Sequence, residues 1–355
     1  MPPRASPLAR YLLLVYLLLV VYGSLYPLAG WRDQGLSPFA FLGAPLPRYF
    51  TWFDVALNVA AYFPLGLLAV LALAPRLTGA PAAVLALAGA TAVSVLLEAA
   101  QSYLPDRIAS NADLAANAAG AVLGAVAGVA IAGHLAPEAG LRRLRARLFG
   151  PGHAVDLGLV LVGLWLFSQL NPETLLFGNG DLGELVASAP PQLYPAETFV
   201  QIEAAVAGAN VLAVTLLVAI VAVERAAARR IAAATVLAAL AARTVACALL
   251  LAPQAAFAWL TPGAATGLAV GLAAALAATA LPRAWAVALC GLALMTATAL
   301  VNLAPENPYL AHSLALWRQG HFLNFNGLTR IVSMLWPFGA LAYVLAVAAR
   351  GRGTR

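Results

Sequence analysis

The chain has 355 residues, 63% of them hydrophobic and only 10% charged, with a formal net charge of +6 and a mean hydropathy of +0.88. This composition lies outside the soluble globular range and places the chain among polytopic membrane proteins. The positive charge is all arginine, because lysine is absent. It reads as a membrane-orientation signal, so no nucleic-acid partner is inferred from it.

Crossing about 30 Å of hydrocarbon takes roughly 20 apolar residues in a helix. Ten windows qualify, about 8–28, 54–74, 82–104, 113–133, 154–171, 199–223, 231–251, 264–281, 284–303 and 330–349. Their runs of Ala, Leu and Val have helical length and lack the short alternation of barrel strands. The predicted fold is therefore an all-α, polytopic transmembrane helix bundle of about ten spans. The first run follows Arg4 and Arg10. It is too long for a signal-peptide core and no small-x-small cleavage site follows, so it is expected to remain as an anchor.

Orientation follows from arginine. With the N-terminus inside, fourteen arginines fall on the cytoplasmic side: Arg4, Arg10, Arg76, Arg142, Arg143, Arg145, Arg147, Arg225, Arg229, Arg230, Arg283, Arg350, Arg352 and Arg355. Arg32, Arg48, Arg107 and Arg318 face outward, while Arg243 and Arg330 lie in or at the edge of spans. The loop 172–198 has four acids and no arginine, as an outer loop should. Both termini are thus predicted to be cytoplasmic.

Within the apolar segments a polar set recurs at helical spacing. The second span places Asp54 at its outer end with Asn58 one turn deeper; the third ends in Glu98 and Gln101, with Ser94 a turn below Glu98. The loop after it contains Asp106 and Arg107, and Asp113, Asn117, Gly120 and Gly124 then form one stripe of the fourth span. An ionisable group at membrane depth costs several kcal/mol, about 3 on insertion scales, so such groups mark function by default. Gly120-xxx-Gly124, with Gly128 beyond, lets another backbone approach closely. The expected neighbour is the third span. Pro64 and Gly66, near the middle of the second span, are expected to kink it and widen the bundle below the cluster.

Phe53-Asp54-x3-Asn58-x4-Phe63-Pro64-x-Gly66, Glu98-x2-Gln101 and Arg107-x5-Asp113-x3-Asn117-x2-Gly120-x3-Gly124 resemble the signature of the VanZ-like family, over residues 50 to about 130. The resemblance implies a place in the bacterial cell envelope and a link to resistance to the lipoglycopeptide teicoplanin. It implies no reaction. The expected domains are a four-span VanZ-like part at 1–133, a basic cytoplasmic linker at 134–153 and a six-span extension at 154–355.

The extension has the marks of a worn repeat. Ser24-Leu25-Tyr26-Pro27, Gln169-Leu170-Asn171-Pro172 and Asn302-Leu303-Ala304-Pro305 each end a span, the first two 145 positions apart. Gly267-xxx-Gly271 follows Gly120-xxx-Gly124 by 147, and Trp336-Pro337-Phe338-Gly339 mirrors Phe63-Pro64-Leu65-Gly66. A four-span unit used two and a half times accounts for these offsets. Chance recurrence of residues common in membrane helices is the other reading.

Other features carry less. Arg243 lies mid-span with Glu203 as a candidate partner, either structural or functional. Leu310, Leu314 and Trp317, between Pro308 and Gly320, read as an interfacial helix that anchors the chain, and residues 182–187 as a second short one. His312 and His321 lack a third ligand at metal spacing, and Cys247 and Cys290 read as apolar fillers, so no metal and no cofactor are expected.

Three functional classes stay open. The polar set binds the head of an envelope lipid or lipid-linked precursor, through Asp54, Asn58, Gln101 and Asn117, with Arg107 on phosphate. Alternatively it catalyses a reaction there, with Glu98 or Asp113 as base and Arg107 stabilising negative charge. The third is a proton- or cation-coupled small-molecule transporter. Against all three stands a structural membrane protein whose polar knot only fixes helix packing. The outer-interface placement favours the first two in the bacterial cytoplasmic membrane, and oligomeric state is not legible.

Overall fold

The computed structural model describes residues 7–35, 37–47, 51–74, 76–134, 140–183, 194–304 and 323–352. Among them the regular structure is helical, with a single isolated bridge between Phe149 and Ala222. The chain divides into two compact units, Met1–Ala146 and Arg147–Arg355.

The first unit is built from α1 (Leu8–Leu25), α2 (Trp52–Leu73), α3 (Gly79–Gln101) and α4 (Asn111–His134). Local chemistry starts the helices that matter. The Thr51 hydroxyl accepts the Asp54 N–H at 3.1 Å and caps α2, whose first turn carries the acid that a helix N-terminus favours. Ser110 Oγ plays the same part for α4, accepting from the N–H groups of Ala112 at 3.1 Å and Asp113 at 3.4 Å.

The tightest packing in this unit is between α2 and α4. A Cβ on Gly120 or Gly124 would overlap the carbonyl oxygen of Val59 or Phe63, and one on Gly66 would overlap that of Ala121. At Gly128 the added atom would sit 2.9 Å from Val70 Cβ and 3.0 Å from the Leu67 oxygen. Glycines on both helices thus bring backbone against backbone, the contact small-xxx-small stripes allow. The partner of the stripe is therefore α2 and not the expected α3, which packs on an adjacent face of α4. Pro64 leaves α2 one continuous helix, and α2 and α4 stay in close contact below the polar cluster instead of spreading, because Gly66, two residues further on, admits the Ala121 backbone of α4.

A short basic helix, α5 (Gly140–Leu148), occupies what reads in the sequence as a linker. The second unit contains α6 (His153–Ser168), α7 (Ala196–Val221), α8 (Arg225–Ala246), α9 (Pro262–Ala278), α10 (Arg283–Leu303) and α11 (Leu323–Arg352); α8 runs on into a π-helical turn at Cys247–Leu251. α7 is its axis, buried along most of its length, with Trp165, Phe177, Leu216, Leu217, Leu294 and Trp336 in the core around it. α9 lies on α7 through glycine: a Cβ on Gly267 would stand 2.8 Å from Ala207 Cβ, and one on Gly271 2.7 Å from Gly208 Cα.

Every expected span is helical, yet the count is smaller by the length criterion. Eight helices among the described residues are long and apolar enough to cross a membrane. The expected fifth and eighth spans, α6 and α9, have 16 and 17 residues, fewer than the roughly 20 a crossing takes. Their ends are set locally, α6 between Gly152 at φ 107° and the turn before Pro172, and α9 between Pro262 at its start and Pro282 after it. The expected helix around Leu310 to Trp317, with His312 and His321, lies outside the described residues, as does most of 182–187.

The α2–α4 contact predicts a sharp contrast between glycines. Gly124→Ala should destabilise the detergent-solubilised protein by about 2 kcal/mol or more, since the new methyl meets backbone that cannot rotate away. Gly89→Ala, at a site with nothing within 4 Å, should be neutral or slightly stabilising. Thermal survival of the monodisperse peak in size-exclusion chromatography compares the two; equal midpoints would show that the glycine contact does not hold the pair.

Candidate functional site

The polar residues singled out by spacing gather where α1 ends, α2 begins, α3 ends and α4 begins. Three side-chain contacts knit them together. Asn58 Nδ2 donates to Asp113 Oδ1 at 2.7 Å and joins α2 to α4. Glu98, 4% exposed at the end of α3, accepts the Ser110 N–H on Oε2 at 2.8 Å. Asn117 Nδ2 donates to Ser94 Oγ at 2.9 Å and joins α4 to α3.

Each contact follows from the local fold. Asp113 sits in the first turn of α4, its N–H held by the Ser110 cap, and Asn117 is one turn deeper on the same stripe. Ser94 lies one turn below Glu98, so the α3 residues that meet α4 share a face. Ser110 has two duties: its hydroxyl starts α4, and its N–H, one that no helix can satisfy, goes to Glu98. The carboxylate therefore pins the start of α4 to the end of α3.

The C-terminal end of α1 is tied in by two donors. Gln101 Nε2 donates to the Ser24 carbonyl at 3.0 Å, and an Arg107 NH2 to the Tyr26 carbonyl at 2.9 Å. Burial pulls the Arg107 guanidinium below its ordinary value, while the nearby carboxylates of Asp106 and Glu98 push the other way. A guanidinium stays charged under that balance. Asp54 is exposed, takes the Thr51 hydroxyl at 2.6 Å, and lies within electrostatic reach of Asp113, which in turn reaches Glu98. All seven residues thus belong to one region, with Glu98 and Asn117 at its buried floor and Asp54 at its rim.

Tyr62 belongs to the site and is not singled out by the sequence reading. It is 3% exposed, hydrogen-bonds Ser94 and neighbours Glu98. Its signal was present, since Asp54, Asn58 and Tyr62 are spaced i, i+4, i+8 along α2, but a tyrosine in an apolar run passes as packing. Tyr16 on α1 is a second case, its hydroxyl donating to the Ala61 carbonyl at 2.8 Å. The four residues assigned to packing, Pro64, Gly66, Gly120 and Gly124, all lie along the α2–α4 contact or within it.

The second unit buries charge differently. Arg243 is 1% exposed, and its guanidinium donates to the Thr174 carbonyl, to Thr174 Oγ1 at 3.2 Å and to the Leu175 carbonyl at 3.0 Å. Glu203 lies within electrostatic reach but is hydrogen-bonded to Thr261. The expected Glu203–Arg243 pair is thus electrostatic, and the hydrogen bonds of Arg243 hold an irregular backbone segment. That segment is further held by Asn302, whose Nδ2 donates to the Gly180 carbonyl at 2.7 Å and whose Oδ1 accepts the Leu182 N–H at 2.8 Å.

Residues 11–132 match the VanZ/LLP1 family model, a stretch that runs from the first turn of α1 almost to the end of α4. No curated protein and no solved structure matches the chain. Residues 11–132 are thus similar to that family, the rest of the chain extends beyond the match, and the eight long apolar helices are those of a membrane-integral protein.

The Glu98 contact separates two substitutions. Glu98→Gln keeps an oxygen for the Ser110 N–H and should stay within about 1 kcal/mol of the parent in thermal unfolding. Glu98→Ala leaves that buried N–H unmet and should cost about 1–3 kcal/mol. Indistinguishable midpoints would show that the bond does not anchor α4.

Proposed function

We propose that the VanZ/LLP1 domain of this chain binds or modifies the polar head of an envelope lipid, or of a lipid-linked precursor, at the outer face of the bacterial cytoplasmic membrane. One observation carries the reading: Asn58, Glu98, Asp113 and Asn117, drawn from three helices, converge at the helix ends of the unit and not at its middle. Helix ends are the depth at which lipid heads lie. In this reading Asp54, Asn58, Gln101 and Asn117 line the head-binding region, and Arg107 faces developing or resident negative charge. Glu98 and Asp113 are the groups able to take a proton. Asn58 orients Asp113, which makes Asp113 the better placed of the two, because Glu98 also has a backbone N–H to hold.

A relay through the domain is the weaker alternative. Below the cluster, α2 and α4 meet backbone to backbone at Gly66, Gly120, Gly124 and Gly128, and no ionisable side chain continues along that contact. A link to lipoglycopeptide resistance follows from the lipid reading. A site that captures or alters lipid heads changes how a lipid-tailed drug anchors, whereas a change in the precursor's peptide acts on tailed and tail-less drugs alike.

The extension is read as a worn copy of the first four helices, supported by the shared pairing of a second helix with a glycine-bearing fourth, α2 with α4 and α7 with α9.

Two outcomes are expected. Ile108, 87% exposed, and Arg147 lie on opposite sides in the arginine-based topology, so Ile108→Cys should react with an impermeant thiol reagent in intact cells and Arg147→Cys should not. The reverse pattern moves the site to the cytoplasmic face. Expression of the intact protein should shift susceptibility to a lipid-tailed glycopeptide at least fourfold more than to its tail-less analogue, and Asp113→Asn should abolish the difference. An equal shift for both drugs, or one untouched by the substitution, overturns the lipid reading.

A further inference from the structure

The hydrogen-bond inventory of the site is lopsided. Each of its donor groups already holds one bond within the protein: Asn58 Nδ2 on Asp113, Asn117 Nδ2 on Ser94, Gln101 Nε2 on the Ser24 carbonyl and an Arg107 NH2 on the Tyr26 carbonyl. Among the acceptors one is wholly unmet. Asn117 is 5% exposed and its Oδ1 is buried with no partner. An acceptor in that state costs about 1–3 kcal/mol unless something donates to it. Its amide bridges to Ser94, one turn of α3 below Glu98, and stands one turn of α4 below Asp113. Glu98 gives one oxygen to Ser110 and Asp113 one to Asn58, which leaves each carboxylate a second oxygen.

Charge runs the same way. Asp113 is within electrostatic reach of both Asp54 and Glu98, and among the described residues Arg107 is the cation within reach of Glu98, itself shared with Asp106. The second unit offers a contrast at fixed spacing. Glu203 and Arg243 stand 145 positions after Asn58 and Glu98, so where the first unit has a buried acid the second has a guanidinium, which supplies N–H donors and positive charge from within. The first unit has no such internal donor at position 98.

We propose, building on the lipid-head reading, that the first unit's site takes a primary ammonium group, with the Asn117 side-chain oxygen and the carboxylates of Glu98 and Asp113 as its acceptors. A primary ammonium offers three N–H donors and one positive charge, matching both deficits. A phosphate alone meets acceptors and surplus negative charge. A quaternary ammonium brings the charge but no N–H for Asn117.

The test uses the full-length chain purified in detergent and three short-chain lipids that differ only in the head: dioctanoyl phosphatidylethanolamine, phosphatidylcholine and phosphatidylglycerol, with free phosphoethanolamine as a fourth probe. Affinity is read by native mass spectrometry. Phosphatidylethanolamine is expected to bind at least tenfold tighter than the other two lipids, and Asp113→Asn, which keeps a partner for Asn58, should reduce that preference to less than threefold. Glu98→Gln, which keeps an acceptor for Ser110, should reduce it as well, so the outcome does not hang on one variant folding. Equal affinity for phosphatidylethanolamine and phosphatidylcholine overturns the proposal, as does a preference that survives both substitutions. Tighter binding of phosphatidylglycerol overturns it while leaving the lipid reading intact. Phosphoethanolamine binding as tightly as the lipid supports the ammonium assignment and removes the lipid reading. No binding by any probe defeats both.

Discussion

The first unit depends on the approach of α2 to α4, and that approach depends on hydrogen atoms where side chains would be. Gly66, Gly120 and Gly124 each face a carbonyl oxygen on the opposite helix at a separation no Cβ tolerates. In lipid, where apolar side chains gain little by leaving their surroundings, close packing of this kind is a main source of helix association. The consequences reach the polar residues. With the two backbones locked below, Asn58 and Asp113 are brought within 2.7 Å above. The third helix packs on the pair through Ala82, Ala86, Ala90 and Leu97 and is pinned there by polar bonds, Asn117 to Ser94 and Ser110 to Glu98.

This division of labour bears on whether the cluster is only a knot. Interhelical polar bonds in membranes contribute on average about 0.6 kcal/mol, and an Asn–Ser pair alone would fix register. The site contains more than that: three carboxylates, a guanidinium and a buried carbonyl oxygen with no donor. A purely structural knot would satisfy its floor first, and here the unsatisfied atom is on the floor.

Much of this was legible in the sequence. Apolar length located every helix of the two units except α5, and i, i+4 spacing named the seven polar residues that the structure brings together. Four things were hidden for physical reasons. A glycine stripe says that a backbone comes close but not whose, so the partner was read as α3 when it is α2. Tyr62 and Tyr16 were invisible because an aromatic ring satisfies an apolar window whatever its hydroxyl does. The shortness of α6 and α9 was concealed by apolar residues continuing past the last helical turn, Leu170 in one case and Leu281 in the other. α5 was missed because its arginines outweigh the leucines at 141, 144 and 148 that mark one side of it.

The irregular stretch between α6 and α7 has a bearing on how the chain is made. Its buried carbonyls at Thr174, Leu175 and Gly180, and its N–H groups at Gly180 and Leu182, find their partners in Arg243, Asn302 and Ser333. All three lie downstream, the nearest by more than sixty residues. A helix carries its hydrogen bonds with it into the bilayer, but this stretch does not. While a ribosome is still reading the codons for α8, the segment has only its local turns, Gly178 to Leu175 and Glu173 to Asn171 among them, and these longer-range bonds form only after α8, α10 and α11 have been delivered. Closure of this segment is therefore a late step in the assembly of the second unit, whereas α2, α3 and α4 can find one another as each leaves the translocon.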